Sequence, residues 1–132
     1  MMTGTIERGI HPRLLFDLVT NKGRVNLKAL VDSGFDGQLA LHYDAADRYQ
    51  LEVVRLTEVT YANGQKAEEI VCRGKILWHN ELHRVQIILS DDEEPAIGTR
   101  LLKGSLLTMD FVKNTLMIAL PKEIASGATL ST

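Results

Sequence analysis

The chain has 132 residues, of which 15 are basic and 17 acidic, so its formal net charge is −2. This length allows one domain with a single hydrophobic core and excludes a two-lobed architecture. Neither sign of charge forms a long block, and we therefore expect no nucleic acid partner, because phosphate binding needs concentrated lysine and arginine.

Short aliphatic and β-branched runs separated by turn residues predict an all-β fold. The predicted strands cover residues 13–20, 25–31, 38–41, 51–61, 65–78, 82–89, 106–111 and 115–120. Two connections carry strong hairpin signals, because Gly23 and the Asn63-Gly64 pair accept positive φ, which both central residues of a type I′ turn need. Residues 44–49 predict a short helix, and residues 96–104 predict a short apolar stretch that leads into a glycine and then one helical turn.

About eight or nine strands with one or two short helices indicate a small closed or orthogonally packed β structure. We place this domain at residues 13–120, preceded by an N-terminal segment at residues 1–12. The tail at residues 121–132 is expected to be frayed, because its last residues are small and polar.

The single cysteine, Cys72, excludes an intrachain disulfide and suits a reducing compartment. It lies in an apolar strand, where a small buried side chain is a simpler interpretation than a reactive thiol. Residues 1–9 lack the apolar core of a signal peptide, and nowhere do about 18 apolar residues run together. We therefore expect a cytoplasmic protein that binds no membrane.

Three polar groups suggest other chemistry only superficially. His79 and His83 have a metal-ligand spacing that works on a helix, whereas this stretch is predicted to turn between strands. The acidic run at residues 91–94 lacks the interleaved positions of a calcium loop and is expected to be a solvated loop. Ser33 lacks the Gly-x-Ser-x-Gly elbow of serine hydrolases. The sequence predicts neither a metal nor another cofactor.

Asp32 is the residue that most suggests catalysis, because it ends an apolar strand. Alternate residues from 25 to 31 share one apolar face, and Leu30 makes the other face apolar just before the acid. In Asp32-Ser33-Gly34 the acid could simply cap its own turn. The strands on both sides, and the distant Ile97-Gly98 pair before a short helix, favour a catalytic role for this carboxylate.

Three stretches together resemble the signatures of retropepsin-like aspartic proteases. They are residues 29–37 (ALVDSGFDG), 61–64 (YANG) and 96–102 (AIGTRLL), and they come in the family's order and at about its spacing. Phe35 after the catalytic triplet is similar to the small single-domain bacterial and archaeal members rather than to the retroviral ones, which have alanine there. The resemblance extends over roughly residues 13–120 and implies a small closed β-barrel of the retropepsin-like acid protease type.

The resemblance implies a homodimer that hydrolyses peptide bonds, because each chain supplies one Asp32 to a shared site. It assigns to Ser33 a hydrogen bond across the dimer and to Gly34 the close approach of the two loops. The hairpin at residues 59–67 would be a flap that closes over an extended peptide. The implied substrate-binding residues are Phe35, Asp36, Tyr61, Ala62, Asn63, Gly64, Ile97 and Gly98.

Two other functions stay open at this point. The chain could be a noncatalytic module that keeps the fold in order to bind peptides or to assemble a larger complex. It could also be an enzyme that cleaves one dedicated partner and leaves generic substrates intact.

Overall fold

The computed structural model describes residues 1–60 and 62–125, with the side chain of Val59 excepted. These residues form ten strands and three short helices. The elements are β1 (Met2–Glu7), β2 (His11–Thr20), β3 (Gly23–Val31), β4 (Leu39–His42), α1 (Ala45–Arg48), β5 (Glu52–Thr60), β6 (Lys66–Trp78), β7 (Glu81–Ser90), β8 (Ala96–Ile97), α2 (Thr99–Leu102), β9 (Leu106–Asp110), β10 (Thr115–Ala119) and α3 (Pro121–Ala125).

The strands form one sheet in the order β5-β6-β7-β4-β8-β3-β2-β1-β10-β9. β6 also pairs with β2, so that six of the strands close into a ring. Two pairings are parallel, β3 with β8 and β4 with β7, and the others are antiparallel. The ring encloses the core, which includes the fully buried side chains of Leu14, Leu18, Leu39, Ile76, Ile87, Ile97, Leu116 and Ile118.

Strand β3 shows how the sequence pattern produces this core. Its alternate residues from 25 to 31 pack inwards, and Ala29 and Val31 are wholly or almost wholly buried. Lys28 lies on the other face and pairs with Glu7. This alternation carries the strand from an exposed hairpin into the interior at the residue before Asp32.

Strand β1 and helix α3 were not among the predicted elements. β1 pairs with both β10 and β2, so the N-terminal residues are part of the sheet. Its inward-facing positions include Gly4, whose missing side chain leaves room for the Arg13 carbonyl and weakens the apolar pattern of the strand. α3 occupies the start of the expected tail, and residues 126–132 lie outside the described part of the chain.

The turn geometry corrects one prediction. The β5–β6 connection is five residues long. Within the Asn63-Gly64 pair, Gly64 has positive φ (82°) whereas Asn63 does not, so a type I′ turn was the wrong expectation. The Asn63 side chain instead accepts a hydrogen bond from the Gln65 amide. A two-residue turn with positive φ at both positions joins β6 to β7 at His79 and Asn80.

Cys72 is completely buried on β6, and burial raises the pKa of its thiol. The thiolate is the reactive form of cysteine, so this environment suppresses reactivity. Separately, none of the helices in the described ranges has the length and apolar character that crossing a bilayer would need.

Candidate active site

Asp32 follows β3 directly, at the point where this strand runs parallel to β8. Leu30 pairs with Ala96 and Val31 with Ile97, and the ladder continues with the Asp32 amide, which donates to the Ile97 carbonyl at 2.9 Å. The acid is therefore held at the end of a buried strand while its side chain stays partly exposed. A charge in this place is oriented by the backbone and still reachable by a substrate.

Hydrogen bonds to Asp32 itself close the turn that follows it. The Gly34 amide donates to Asp32 Oδ1 at 2.9 Å, and the Phe35 amide donates to the Asp32 carbonyl at 3.2 Å. A Cβ atom on Gly34 would lie 3.2 Å from Asp32 Oδ1, so glycine leaves that carboxylate oxygen uncrowded. One carboxylate oxygen is thus held in place by a backbone donor.

The segment from Ile97 to Thr99 holds the turn at both ends. Ile97 accepts from the Asp32 amide at one end, and at the other end the Thr99 amide and hydroxyl both donate to the Phe35 carbonyl, at 2.8 and 3.2 Å. Gly98 lies between these two attachments. The catalytic candidate is therefore anchored to the start of α2 and not to its own strand alone.

Position 98 requires glycine because there is no space for a side chain, and not because of its backbone conformation. Its φ of −105° and ψ of 178° are open to any residue. A Cβ atom here would lie 2.6 Å from the Phe35 carbonyl oxygen and 2.6 Å from Phe35 Cδ2, and it would overlap the Gly37 carbonyl oxygen. The glycine of the third signature therefore allows the two loops to touch.

One solved structure has a similar fold over most of the chain. A retropepsin-like aspartic protease from Rickettsia conorii has 20% sequence identity and a TM-score of 0.58, covering 89% of this chain and 88% of that one. The chain has the retropepsin-like fold. The predicted all-β class and the resemblance stated from the sequence are confirmed at the level of fold.

Two further solved structures are similar over smaller parts of the chain. The protease of EIAV, solved with the inhibitor HBY-793, has 17% identity and a TM-score of 0.48, covering 69% of this chain and 86% of that one. The retroviral protease-like domain of Ddi1 from Leishmania major has 20% identity and a TM-score of 0.49, covering 79% and 86%. No family model and no curated protein matches the sequence.

On this retropepsin-like fold the predicted site residues form two separate groups. Residues 32–37 lie together with Ile97 and Gly98, as the contacts above establish. Ala62, Asn63 and Gly64 are exposed at the tip of the β5–β6 hairpin, and Tyr61 lies outside the described residues. No hydrogen bond within the described part of the chain joins the tip to the Asp32 turn.

Sequence reasoning missed two residues that support the site. Arg100 donates from its amide to the Gly37 carbonyl and from Nε to the Asp36 carbonyl, both at 3.2 Å. Gln38 accepts from the Gly98 amide at 3.1 Å through its carbonyl, and its side chain accepts from the Gln86 amide at 2.7 Å. Arg100 lies within the third signature, which was the available signal, whereas nothing in the sequence marked Gln38.

The two histidines with metal-like spacing lie on a turn and a strand, as predicted. His79 is 5% exposed, its Nδ1 lies 3.6 Å from Glu123 Oε1, and burial lowers its pKa. His83 is largely exposed on β7 and faces Glu81. Among the described residues no group of three or more histidine, cysteine, aspartate or glutamate side chains gathers at one point.

A cavity of about 330 Å³ lies on another part of the molecule, between β3, α1 and the loop before β8. Its lining includes Leu27, Leu41, Tyr49 and Pro95 and does not include Asp32. The Asp32 turn is instead an open, partly exposed surface of a single chain.

Proposed function

We propose that this chain is an aspartic endopeptidase that acts as a homodimer, with a water molecule activated between the two Asp32 carboxylates. The observation that carries the proposal is the Asp32 turn itself. A retropepsin-like fold fixes one partly exposed carboxylate in an anchored turn, and one chain offers only half of the two-carboxylate site that this chemistry uses.

The chemistry follows from placing two carboxylates together. At a separation of about 3 Å they cannot both be ionised, so they share one proton. The ionised carboxylate accepts a proton from water as the oxygen attacks the peptide carbonyl carbon, while the protonated carboxylate donates to the carbonyl oxygen. Proton transfer to the nitrogen then allows the C–N bond to break, without a covalent enzyme intermediate.

The polar groups of the turn support this dimeric arrangement. Ser33 is exposed and its hydroxyl makes no hydrogen bond to the described residues of its own chain, which leaves it available for the loop of a second copy. Gly34 is exposed beside it and has no side chain to separate two such loops. Both residues are therefore assigned to the interface at the shared site.

The β5–β6 hairpin is assigned to substrate binding. β5 is an end strand of the sheet, and its described side chains are exposed along its whole length. An extended peptide held between this hairpin and the Asp32 turn would be recognised through main-chain hydrogen bonds, with side-chain pockets that give selectivity. Gly64 at the tip, with open space around it, would allow the hairpin to close over the peptide.

Cleavage of a denatured, disulfide-free protein at mildly acidic pH tests the proposal. Asp32→Asn is expected to abolish cleavage, and pepstatin is expected to inhibit the wild-type chain. Asp91→Asn, in the exposed loop before β8, is the matched control that should cleave normally. Cleavage that survives in Asp32→Asn would contradict the proposal.

If the wild-type chain and the Asp32→Asn variant bind the same peptides and neither cleaves them, the chain would instead be the noncatalytic module. Retention of one protein by Asp32→Asn, followed by its cleavage by the wild-type chain, would identify an enzyme with a single dedicated substrate.

A further inference from the structure

Phe35 has an unusual environment for a residue beside a catalytic acid. Its ring lies across two glycines, with Cε1 2.7 Å from the position that a Cβ on Gly37 would take and Cδ2 2.6 Å from the corresponding position on Gly98. Cε1 and Cδ2 are opposite atoms of the ring. The ring therefore spans the whole gap between Gly37 and Gly98, in space that only glycine leaves free.

The backbone of Phe35 is equally restrained. Its amide closes the Asp32 turn, and its carbonyl accepts both hydrogen bonds from Thr99. The Gly37 carbonyl is held by the Arg100 amide at 3.2 Å. The ring thus fills the space between two loops whose backbones are already joined on either side of it.

We propose that Phe35 is a positioning residue for Asp32. Its ring, wedged between Gly37 and Gly98, keeps the turn against the start of α2, so that the carboxylate stays in the orientation set by the Gly34 amide. This inference rests on the proposed function, since positioning matters only if Asp32 reacts. Phe35 itself does not need to touch the substrate.

The packing part of the proposal is tested by unfolding, without any assay of activity. Gly37→Ala should lower the urea midpoint of the wild-type chain, because the new Cβ meets the ring. In the Phe35→Ala background the same substitution should be nearly neutral, since the ring atoms that the new Cβ would meet are gone and Ile88 Cδ1, at 3.1 Å, is the end of a flexible side chain. Gly98→Ala should stay destabilising in that background, because it also meets carbonyl oxygens. Equal effects of Gly37→Ala in both backgrounds would overturn the wedge.

The positioning part needs a readout that follows the carboxylate. In Phe35→Ala the temperature coefficient of the Gly34 amide proton should become more negative as its bond to Asp32 Oδ1 weakens, while that of the Ile76 amide on β6 stays unchanged. An unchanged Gly34 temperature coefficient would overturn the positioning role, and this result is independent of whether the chain cleaves anything.

Kinetics complete the test. Below the unfolding temperature, Phe35→Ala should lower kcat by about 10- to 100-fold, because small misplacements of a reacting group have effects of this size. KM should change by less than about 3-fold, and Phe35→Leu, which refills part of the space, should recover much of kcat. A normal kcat in folded Phe35→Ala would contradict the proposal. An inactive wild-type chain would contradict the proposed function, while the Gly34 temperature coefficient would still decide the positioning role.

Discussion

Gly98→Ala is the substitution whose effect the structure defines most closely. The added methyl group would meet the carbonyl oxygens of Phe35 and Gly37, and neither can retreat without lengthening a hydrogen bond from Thr99 or Arg100. Overpacking of this kind costs about 1–3 kcal/mol, and each hydrogen bond lost costs about 1 kcal/mol. Alanine restricts the unfolded chain and offsets about 0.4–1 kcal/mol. We therefore expect the free energy of unfolding to fall by about 3 kcal/mol.

Urea unfolding followed by tryptophan fluorescence measures this loss. Gly74→Ala is the matched control, because its new Cβ would meet the flexible end of Ile87, at 2.5 Å from Cδ1, and no backbone atom. That control should lose less than about 1 kcal/mol. The same small loss in Gly98→Ala would refute the view that this glycine exists to let the two loops touch.

Three further outcomes are expected. Burial lowers the pKa of His79, so below pH 6.5 the unfolded chain binds a proton that the folded chain does not bind, and the free energy of unfolding should fall as the pH drops below 6.5. Asparagine tolerates the positive φ of this position. Urea titrations at two pH values should therefore show that His79→Asn loses this pH dependence. If the proposed dimer forms, Ser33→Ala should weaken it in sedimentation equilibrium while Ser33→Thr preserves it, and equal association would count against the proposed hydrogen bond between the two chains. Leu116→Ala removes a buried side chain of β10 and should lower the free energy of unfolding by about 2–5 kcal/mol, whereas Leu82→Ala, at an exposed side chain, should be nearly neutral.

Local patterns in the sequence were sufficient to predict much of the fold. The β2–β3 hairpin was predicted from Gly23, whose φ of 114° few other residues tolerate. The position of Asp32 was predicted from the alternation of β3, which becomes apolar on both faces before the acid. These signals are local, because each depends on a few consecutive residues.

Contacts between distant residues could not be predicted in this way. The sequence marked Gly98 but not its contact with Phe35 and Gly37, which lie about 60 residues earlier and meet it only when β3 and β8 pair. The turn at His79 and Asn80 was predicted, but its positive φ values were not, because non-glycine residues rarely adopt them. β1 was missed because Gly4 interrupts its apolar pattern.

The central claim, that two Asp32 residues form one site, is tested most directly by mixing subunits. Wild-type chain at a fixed concentration is allowed to exchange with increasing amounts of Asp32→Asn, and cleavage is then measured. If a mixed dimer with one aspartate is inactive, activity should fall in proportion to the wild-type fraction, to about one tenth at a ninefold excess of the variant. Activity that stays constant as the variant is added would show that each chain acts alone.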